Sequence, residues 1–264
     1  MTLQTCPPEL MDVACKLADA AGEVIASYFR TSFAIEEKRD LSPVTVADRK
    51  AEQAMHALLA KLRPDDGIIG EEFGSERESA EFVWVIDPID GTRAFLSGKP
   101  MFGTLISVLH DGLPILGVIH QPILKERWIG ARGHETTLNG TICRTRPCSK
   151  LRDAVANLGP QAFPFGNAVS LDAYRRVAKG ALTTTVAGDC YTYGLIASGF
   201  LDLCIEHDLK LYDFAALVPI IEGAGGCVTD WQGRKLDRNS TGNVLAVGDV
   251  RLLEEVVTLI EGAL

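Results

Sequence analysis

The chain has 264 residues, 47% of them hydrophobic and 23% charged, which is the balance of an ordinary globular protein. Its formal charge is −9, so its surface should repel nucleic acid, and a phosphate substrate would need cations in its site. No apolar run approaches the roughly 18 residues that cross a bilayer, and Met1 to Leu10 lacks the basic start and apolar stretch of an export signal.

The cysteines and histidines carry no metal or disulfide pattern. The seven cysteines are odd in number and form no C-x-x-C pair, which argues against a disulfide framework or a zinc ribbon. We therefore expect reduced, mostly buried thiols in a cytoplasmic protein. The five histidines show no spacing such as H-E-x-x-H and are interpreted as structural or surface residues.

The first half of the chain is predicted to begin with two helices. Hydrophobic residues recur at helical spacing over Pro8–Arg30, and a second helix is expected from about Thr45 to Leu62. A short extended piece, 33–37, and a polar loop, 38–43, connect them. Strands are expected at Ile68–Ile69, Phe82–Ile86, Gly103–His110, Leu113–His120 and Arg127–Gly130.

The second half is predicted to alternate helices and strands. The helices are expected at Leu171–Lys179, Tyr191–Ser198, Tyr212–Glu222 and Val250–Glu261, and the strands at Thr183–Ala187, Leu201–Glu206, Cys227–Asp230 and Val244–Val247. Pro219 should perturb the helix that contains it. Mixed hairpins and helices indicate an α+β fold of stacked layers. A soft boundary near Arg144–Lys150 would divide residues 1–145 from 146–264, two halves of one compact unit.

The segment Asp87-Pro88-Ile89-Asp90-Gly91-Thr92 follows an apolar strand and is the most informative part of the sequence. Because strand side chains alternate between faces, two acids three positions apart need a bend to converge. Such a bend can aim both carboxylates and the Ile89 carbonyl at a hard divalent cation. Gly91 and Thr92 can then offer backbone N–H groups to an anion. A polar turn after a buried strand is the simpler interpretation of the same residues.

Two further acids stand at the ends of apolar segments. Glu71, in Gly70-Glu71-Glu72, follows a short strand, and Asp213 stands at the start of an apolar helix. Each has an ordinary explanation, since acidic pairs are usually solvated and an Asp at a helix start caps N–H groups. From the residues alone, both explanations stay open.

Together these segments resemble the inositol monophosphatase family of metal-dependent phosphatases. Three motifs match in order, namely Gly70-Glu71-Glu72, Asp87 to Thr92, and Tyr212-Asp213-Phe214-Ala215-Ala216 followed by Glu222-Gly223-Ala224-Gly225-Gly226. The family usually carries Trp at the position of Tyr212. The resemblance covers Pro8 to about Glu261 and implies a layered α-β-α-β-α sandwich that is usually dimeric.

The resemblance also implies a set of metal ligands that are all hard oxygens, which suits Mg²⁺. Two or three Mg²⁺ ions would be bound in each site, one activating water and another stabilising the leaving oxygen. The implied ligands are the carboxylates of Glu71, Asp87, Asp90 and Asp213 and the carbonyl of Ile89.

Further roles follow from the same resemblance. Glu71 counts among the catalytic residues together with Asp48 and Thr92, and the last two would orient or deprotonate the nucleophilic water. Gly91 and Thr92 would bind phosphate through their amides. The loop at Lys38 matches a loop that can contribute to a further metal site.

Within the family, Asp90 to Phe95 and Gly188-Asp189-Cys190-Tyr191 look like the histidinol-phosphatase branch. Histidinol phosphate carries an ammonium and an imidazole, so its pocket should offer carboxylates. Asp189 and Glu206 are expected to bind the substrate in this way. A helix cap at Asp189 and a surface acid at Glu206 are the open alternatives, and Arg93 either contacts phosphate or pairs with a carboxylate.

The sequence therefore predicts a Mg²⁺-dependent phosphatase that acts on a small phosphate monoester, first of all L-histidinol phosphate, in histidine biosynthesis. Inositol 1-phosphate, fructose bisphosphate or a 3′-phosphonucleotide is the alternative substrate. A non-catalytic metal-binding scaffold is the competing class, although such a relative should have lost a ligand. We expect a homodimer and neither nucleic acid nor a membrane as partner.

Overall fold

A computed structural model describes residues 5–32, 35–37, 43–159 and 168–262. Residues 38–42 of the predicted loop and residues 33–34 of the extended piece before it lie outside the described residues. The rest of that extended piece is a strand, as predicted. In the part of the chain that the structure describes, no helix is both long and apolar enough to cross a membrane.

The first half of the chain contains one pair of packed helices and a long, mainly antiparallel run of strands. In chain order they are α1 (Pro8–Tyr28), β1 (Ile35–Glu37), β2 (Pro43–Thr45), α2 (Val46–Leu62), β3 (Gly67–Gly70), β4 (Gly74–Glu76), β5 (Phe82–Asp90), α3 (Thr92–Leu96), β6 (Gly103–His110), β7 (Leu113–Gln121), β8 (Glu126–Ala131), β9 (Thr137–Leu138) and β10 (Thr141–Ile142).

The elements of the second half follow a 3₁₀ turn at Leu151–Asp153. They are β11 (Val155–Leu158), α4 (Ala168–Gly180), β12 (Thr183–Val186), α5 (Asp189–Ala197), β13 (Leu203–Glu206), α6 (Leu211–Phe214), α7 (Leu217–Gly223), β14 (Cys227–Thr229), β15 (Val244–Val247) and α8 (Leu253–Glu261).

Two sheets organise these elements. The larger sheet has the strand order β10-β9-β8-β7-β6-β5-β3-β4 and is antiparallel except where β3 pairs with β5. The smaller sheet has the order β12-β11-β13-β15-β14, in which β11 runs parallel to both of its neighbours. A separate two-stranded ribbon joins β1 and β2.

The helices fill the spaces above, between and below the two sheets. Helices α1 and α2 pack together and cover one face of the larger sheet, with a buried stripe that includes Leu10, Leu17 and Ile25. Helices α5, α6 and α7 lie between the sheets, and α4 pairs with α8 on the outer face of the smaller sheet. The predicted α-β-α-β-α sandwich is thereby confirmed.

Two local expectations were incomplete. The segment Tyr212–Glu222 is not one helix, because α6 ends at Phe214 and α7 begins at Leu217. Pro219 lies in the first turn of α7, where a missing N–H has no helical partner to lose. The strand predicted to end at Ile86 instead continues to Asp90.

The middle layer packs so closely on the larger sheet that a glycine is required. A Cβ added at Gly117 in β7 would overlap the backbone carbonyl of Ala216, at the start of α7. Because the obstructing atoms belong to the backbone, neither partner can rotate away. Gly117 thus sets the distance between the larger sheet and the layer that carries Asp213.

We expect Gly117→Ala to lower the free energy of unfolding by about 1–3 kcal/mol, the usual cost of overpacking a core. Urea denaturation of the full-length wild type and variant measures this difference in the free energy of unfolding. The matched control is Gly262→Ala, which adds the same methyl group where the nearest atom is the flexible tip of Arg176, at 3.0 Å. Equal stabilities of the two variants would contradict the packing argument.

Candidate metal and phosphate site

A bulge in β5 brings two of the predicted acids together. Asp87 pairs with Leu105 of β6 and Asp90 pairs with Gly103, so three steps along β5 oppose two along β6. The extra residue reverses the alternation of side chains, which would otherwise place Asp87 and Asp90 on opposite faces of the sheet. The convergence that the sequence required of a bend is achieved by this bulge inside the strand.

Asp213 reaches the same point from α6. It stands in the first turn of that helix, and its Oδ2 accepts a hydrogen bond of 2.6 Å from the backbone N–H of Lys210. Asp213 therefore does cap the helix, as the ordinary explanation held, but it has a second neighbourhood. One carboxylate oxygen from each of Asp87, Asp90 and Asp213 lies within 4.8 Å of the others.

The acidic cluster, which comprises Asp87, Asp90 and Asp213, brings like charges close together. Asp87 is 1% exposed, and its Oδ1 has no hydrogen-bond partner among the described residues. Burial raises the pKa of Asp87 well above its usual value, and the nearby charge of Glu71 raises it further, followed by those of Asp90 and Asp213. A buried carboxylate oxygen without a donor, among other acids, fits a divalent cation with oxygen ligands.

Asp90 is held by the second half of the chain. The backbone N–H of Cys190, in the first turn of α5, donates a hydrogen bond of 2.5 Å to Asp90 Oδ2. Burial raises the pKa of Asp90 well above its usual value, as do the charges of Asp189 and Asp213, and the Cys190 hydrogen bond opposes them. Asp90 therefore connects the acidic cluster with the segment that carries Asp189.

Glu71 lies at the edge of the cluster. It follows β3 directly, and its backbone N–H donates a hydrogen bond of 3.2 Å to the carbonyl of Ile86 in β5. The charge of Glu71 raises the pKa of Asp87 and also that of Asp48, so the Glu71 carboxylate acts on both acids. Glu71 also lines the cavity described below.

The structure does not join Asp48 and Thr92 by a hydrogen bond. Thr92 Oγ1 donates instead to the carbonyl of Ile89, at 3.1 Å. Asp48 stands in the first turn of α2, where its Oδ2 accepts a hydrogen bond of 2.8 Å from the N–H of Thr45. Burial raises the pKa of Asp48 to about 6, and its Oδ1 lacks a partner within the described ranges. Asp48 thus caps α2 through Oδ2, while its Oδ1 accepts no hydrogen bond from the described residues.

A cavity of about 610 Å³ opens beside the acidic cluster. Glu71, Gly91, Thr92, Arg93, Lys99 and Asp189 are among the residues that line it. The two halves of the chain thus form its walls together. The first contributes Glu71, which follows β3, and residues of α3, and the second contributes residues of β11, β12 and α5.

Asp189 enters the cavity from a segment with an unusual backbone. Ala187, Gly188 and Asp189 all have positive φ angles, of 66°, 117° and 43°. Asn157 of β11 supports this segment by donating a hydrogen bond of 2.7 Å to the carbonyl of Ala187. Burial raises the pKa of Asp189 to about 6, although the positive charge of Arg93 lowers it in part.

The close approach of this segment explains Gly91. Gly91 has a φ of 88°, and an added Cβ would stand 3.0 Å from Asp189 Oδ2. Arg93 is exposed at the cavity wall, where its charge acts on Asp189. Both alternatives for Arg93, a contact with phosphate and a pair with a carboxylate, stay open.

Glu206 is set back from the cavity. It is 4% exposed, is not among the residues lining the cavity, and accepts a hydrogen bond of 2.6 Å from the hydroxyl of Tyr193. Burial raises its pKa to about 8, and the charges of Asp189 and Asp213 add to the shift. Any effect of Glu206 on a bound molecule would therefore pass through its neighbours.

Sequence reasoning missed two residues that line this cavity, Asn157 and Lys99. Asn157 is a polar residue inside a short buried strand, 3% exposed, and that placement was the available signal. The strand itself was not predicted, so the signal could not be used. Lys99 was not singled out, although a lysine in a loop of this acidic chain was a candidate anion contact.

Comparison with known proteins agrees with this geometry. A model of the inositol monophosphatase family matches residues 7–262. The chain is 48% identical to the bifunctional phosphatase IMPL2, chloroplastic, of Arabidopsis thaliana, over 97% of this chain and 78% of that protein. It is 36% identical to the histidinol-phosphatase of Mycobacterium tuberculosis, over 84% of this chain and 87% of that protein.

A solved structure of an inositol monophosphatase from Zymomonas mobilis superimposes with a TM-score of 0.87 at 46% identity, covering 96% of this chain and 98% of that one. Family members are generally Mg²⁺-dependent, and the acidic cluster is present here. The chain therefore belongs to the inositol monophosphatase family and is one of its phosphatases.

Proposed function

We propose that the protein hydrolyses L-histidinol phosphate to L-histidinol and phosphate with Mg²⁺. The observation that carries the proposal is the position of the Asp189 carboxylate, which lines the cavity next to Gly91. The two residues are so close that a Cβ added at Gly91 would stand 3.0 Å from Asp189 Oδ2. An anion at that position suits a substrate whose organic part is cationic. Relatives named histidinol-phosphatase, at 36% and 34% identity, support the same substrate.

In this proposal the metal ions are held by Glu71, Asp87, Asp90 and Asp213, with the carbonyl of Ile89. When bound, Mg²⁺ supplies Lewis-acid polarisation of the phosphoryl oxygens and activation of the attacking water. The cluster offers only oxygen donors, which is the donor set that Mg²⁺ prefers.

The phosphoryl group would lie at the first turn of α3. Gly91 and Thr92 offer backbone N–H groups there, and helix starts leave such groups without helical partners. Arg93 and Lys99 line the same cavity and can balance phosphate charge. Asp48 has one oxygen without a hydrogen-bond partner within the described ranges, and it would accept the proton of the attacking water through Thr92 or directly.

Substrate choice would follow from Asp189. A protonated amine close to its carboxylate brings an opposite charge as well as a hydrogen bond, whereas a neutral polyol brings only uncharged hydroxyl donors. The alternative substrate, an inositol monophosphate, is supported by the 46% identity to the structure titled an inositol monophosphatase. A phosphate-release comparison of the two substrates with Mg²⁺ distinguishes these proposals.

Asp87→Asn should lower kcat/KM by about 10³-fold or more, because metal-derived stabilisation of the transition state is worth several kcal/mol. Phosphate release at saturating Mg²⁺ measures this loss. The control is Asp111→Asn, the same change at an exposed turn between β6 and β7, where activity should stay at the wild-type level. An Asp87→Asn variant as active as this control would refute the metal assignment.

Asp189→Asn should raise KM for histidinol phosphate about 10- to 100-fold, the value of a hydrogen bond between charged groups. The effect on inositol 1-phosphate should be much smaller, since that substrate has no cation to lose. Asparagine tolerates the positive φ at this position, so the backbone should be kept. Initial rates with both substrates give the ratio.

The matched control for this specificity test is Asp12→Asn on the exposed side of α1, which changes net charge by the same amount. It should alter neither KM value. Should Asp189→Asn weaken both substrates equally, Asp189 would have no part in selecting the cationic one.

A further inference from the structure

Glu52 of α2 is a buried acid that lies outside the acidic cluster. Its side chain is wholly buried, at 0% exposure, in the middle of the helix. Its Oε2 accepts a hydrogen bond of 2.9 Å from the backbone N–H of Glu72. Its Oε1 accepts another of 3.0 Å from the backbone N–H of Phe73. Both donors belong to the turn that follows Glu71.

The same carboxylate also contacts the residue before Glu71. A Cβ added at Gly70 would overlap Glu52 Oε1 and would stand 2.8 Å from its Cδ. The three nearest atoms to such a Cβ all belong to the Glu52 side chain. Glu52 therefore holds Gly70 on one side of Glu71 and two backbone N–H groups on the other.

Burying a carboxylate in this way costs free energy of desolvation, which an apolar side chain at the same position of α2 would avoid. His56 is one ionisable group close to it, with Nε2 at 3.4 Å from Glu52 Oε1. The hydrogen bonds to the backbone satisfy the carboxylate, but they stabilise a single short turn. The feature that distinguishes this turn is that it carries Glu71.

We infer that Glu52 is a positioning residue of the metal site, which fixes the backbone on both sides of Glu71 and thereby sets the affinity of the site for Mg²⁺. The inference rests on the proposed function, in which Glu71 is a metal ligand. Helix α2 then serves the site twice, through Asp48 in its first turn and through Glu52 one turn later. Residues that orient ligands in this way commonly contribute 10- to 100-fold to metal affinity.

The test is a calorimetric titration of Mg²⁺ into the metal-stripped full chain. Glu52→Gln should bind Mg²⁺ about 10- to 100-fold more weakly than wild type. Glutamine has nearly the same shape, but its NH₂ group would face one of the two backbone N–H donors. In assays, the Mg²⁺ concentration for half-maximal rate should rise, while kcat at saturating Mg²⁺ stays close to wild type.

Gly70→Ala approaches the same contact from the other partner. The added methyl group would push the Glu52 carboxylate aside without meeting backbone as a nearest atom. It should weaken Mg²⁺ binding to a similar extent. The double variant should be no weaker than the weaker single variant, because both changes break one contact. If Glu52→Gln fails to fold, Gly70→Ala decides the question by itself.

Asp230→Asn is the matched control. Asp230 is also buried, at 8% exposure, and its Oδ1 accepts hydrogen bonds of 2.9 Å from the N–H groups of Gln232 and Arg234. This turn follows β14, outside the cavity. Replacing the Asp230 carboxylate by an amide should lower the thermal stability of the protein and leave its affinity for Mg²⁺ unchanged.

The outcomes separate this inference from the proposed function. If wild type takes up no Mg²⁺, the proposed function is overturned. If wild type binds and Glu52→Gln and Gly70→Ala bind equally well, only the inference is overturned. If Asp230→Asn weakens Mg²⁺ binding as much as Glu52→Gln does, the inference is also overturned. The weaker binding would then reflect a general loss of stability.

Discussion

The site depends on holding several carboxylates close together against their mutual repulsion. Oxygens of Asp87, Asp90 and Asp213 lie within 4.8 Å of one another. At such a separation two unit charges repel by about 3 kcal/mol with an effective dielectric constant near 20. The folded chain withstands this repulsion because each acid belongs to an element fixed elsewhere, β5 in the larger sheet and α6 in the middle layer. A cation between them would convert the repulsion into affinity.

That constraint explains why the middle layer is packed so tightly. Asp213 stands on α6, which is continued by α7, and the start of α7 contacts β7 at Gly117. The backbone N–H of Cys190 in α5 reaches Asp90 at 2.5 Å. Small displacements of this layer would therefore change the spacing of the carboxylates directly. The sandwich is the means by which acids from distant parts of the sequence are kept at a fixed distance.

Long apolar segments and the acidic motifs could be predicted from the sequence because their signals are local. The strands Gly103–His110 and Leu113–Gln121 are mostly apolar, and the helices have regular spacing of apolar residues. The bulge between Asp87 and Asp90 could not be read in the same way, since it exists only through pairing with β6. The break between α6 and α7 and the short strand Val155–Leu158 likewise depend on tertiary contacts.

The same distinction holds within the site. Asp87, Asp90, Glu71 and Asp213 were found from motifs, and the structure brings three of them into one cluster with Glu71 beside it. Glu52 gave no such signal, because a single acid in an amphipathic helix looks like part of its exposed face. Glu206 was predicted to bind substrate, with a surface acid as the alternative, whereas it is buried against Tyr193 and does not line the cavity.

Variation in substrate is compatible with this arrangement because the cavity has two different walls. The carboxylates of the acidic cluster belong to β5 and α6, whereas Asp189 is the last of three consecutive residues with positive φ. This segment belongs to neither β5 nor α6. In our proposal it is this wall that selects the cationic substrate, while the acidic cluster performs the chemistry common to the family.

The most direct test of the central claim is anomalous diffraction from crystals grown with Mn²⁺, which takes the same oxygen ligands as Mg²⁺. The account predicts an anomalous peak bounded by the carboxylates of Asp87, Asp90 and Asp213, with Glu71 within ligand distance. Ordered crystals with Mn²⁺ in excess and no peak between these carboxylates would contradict it.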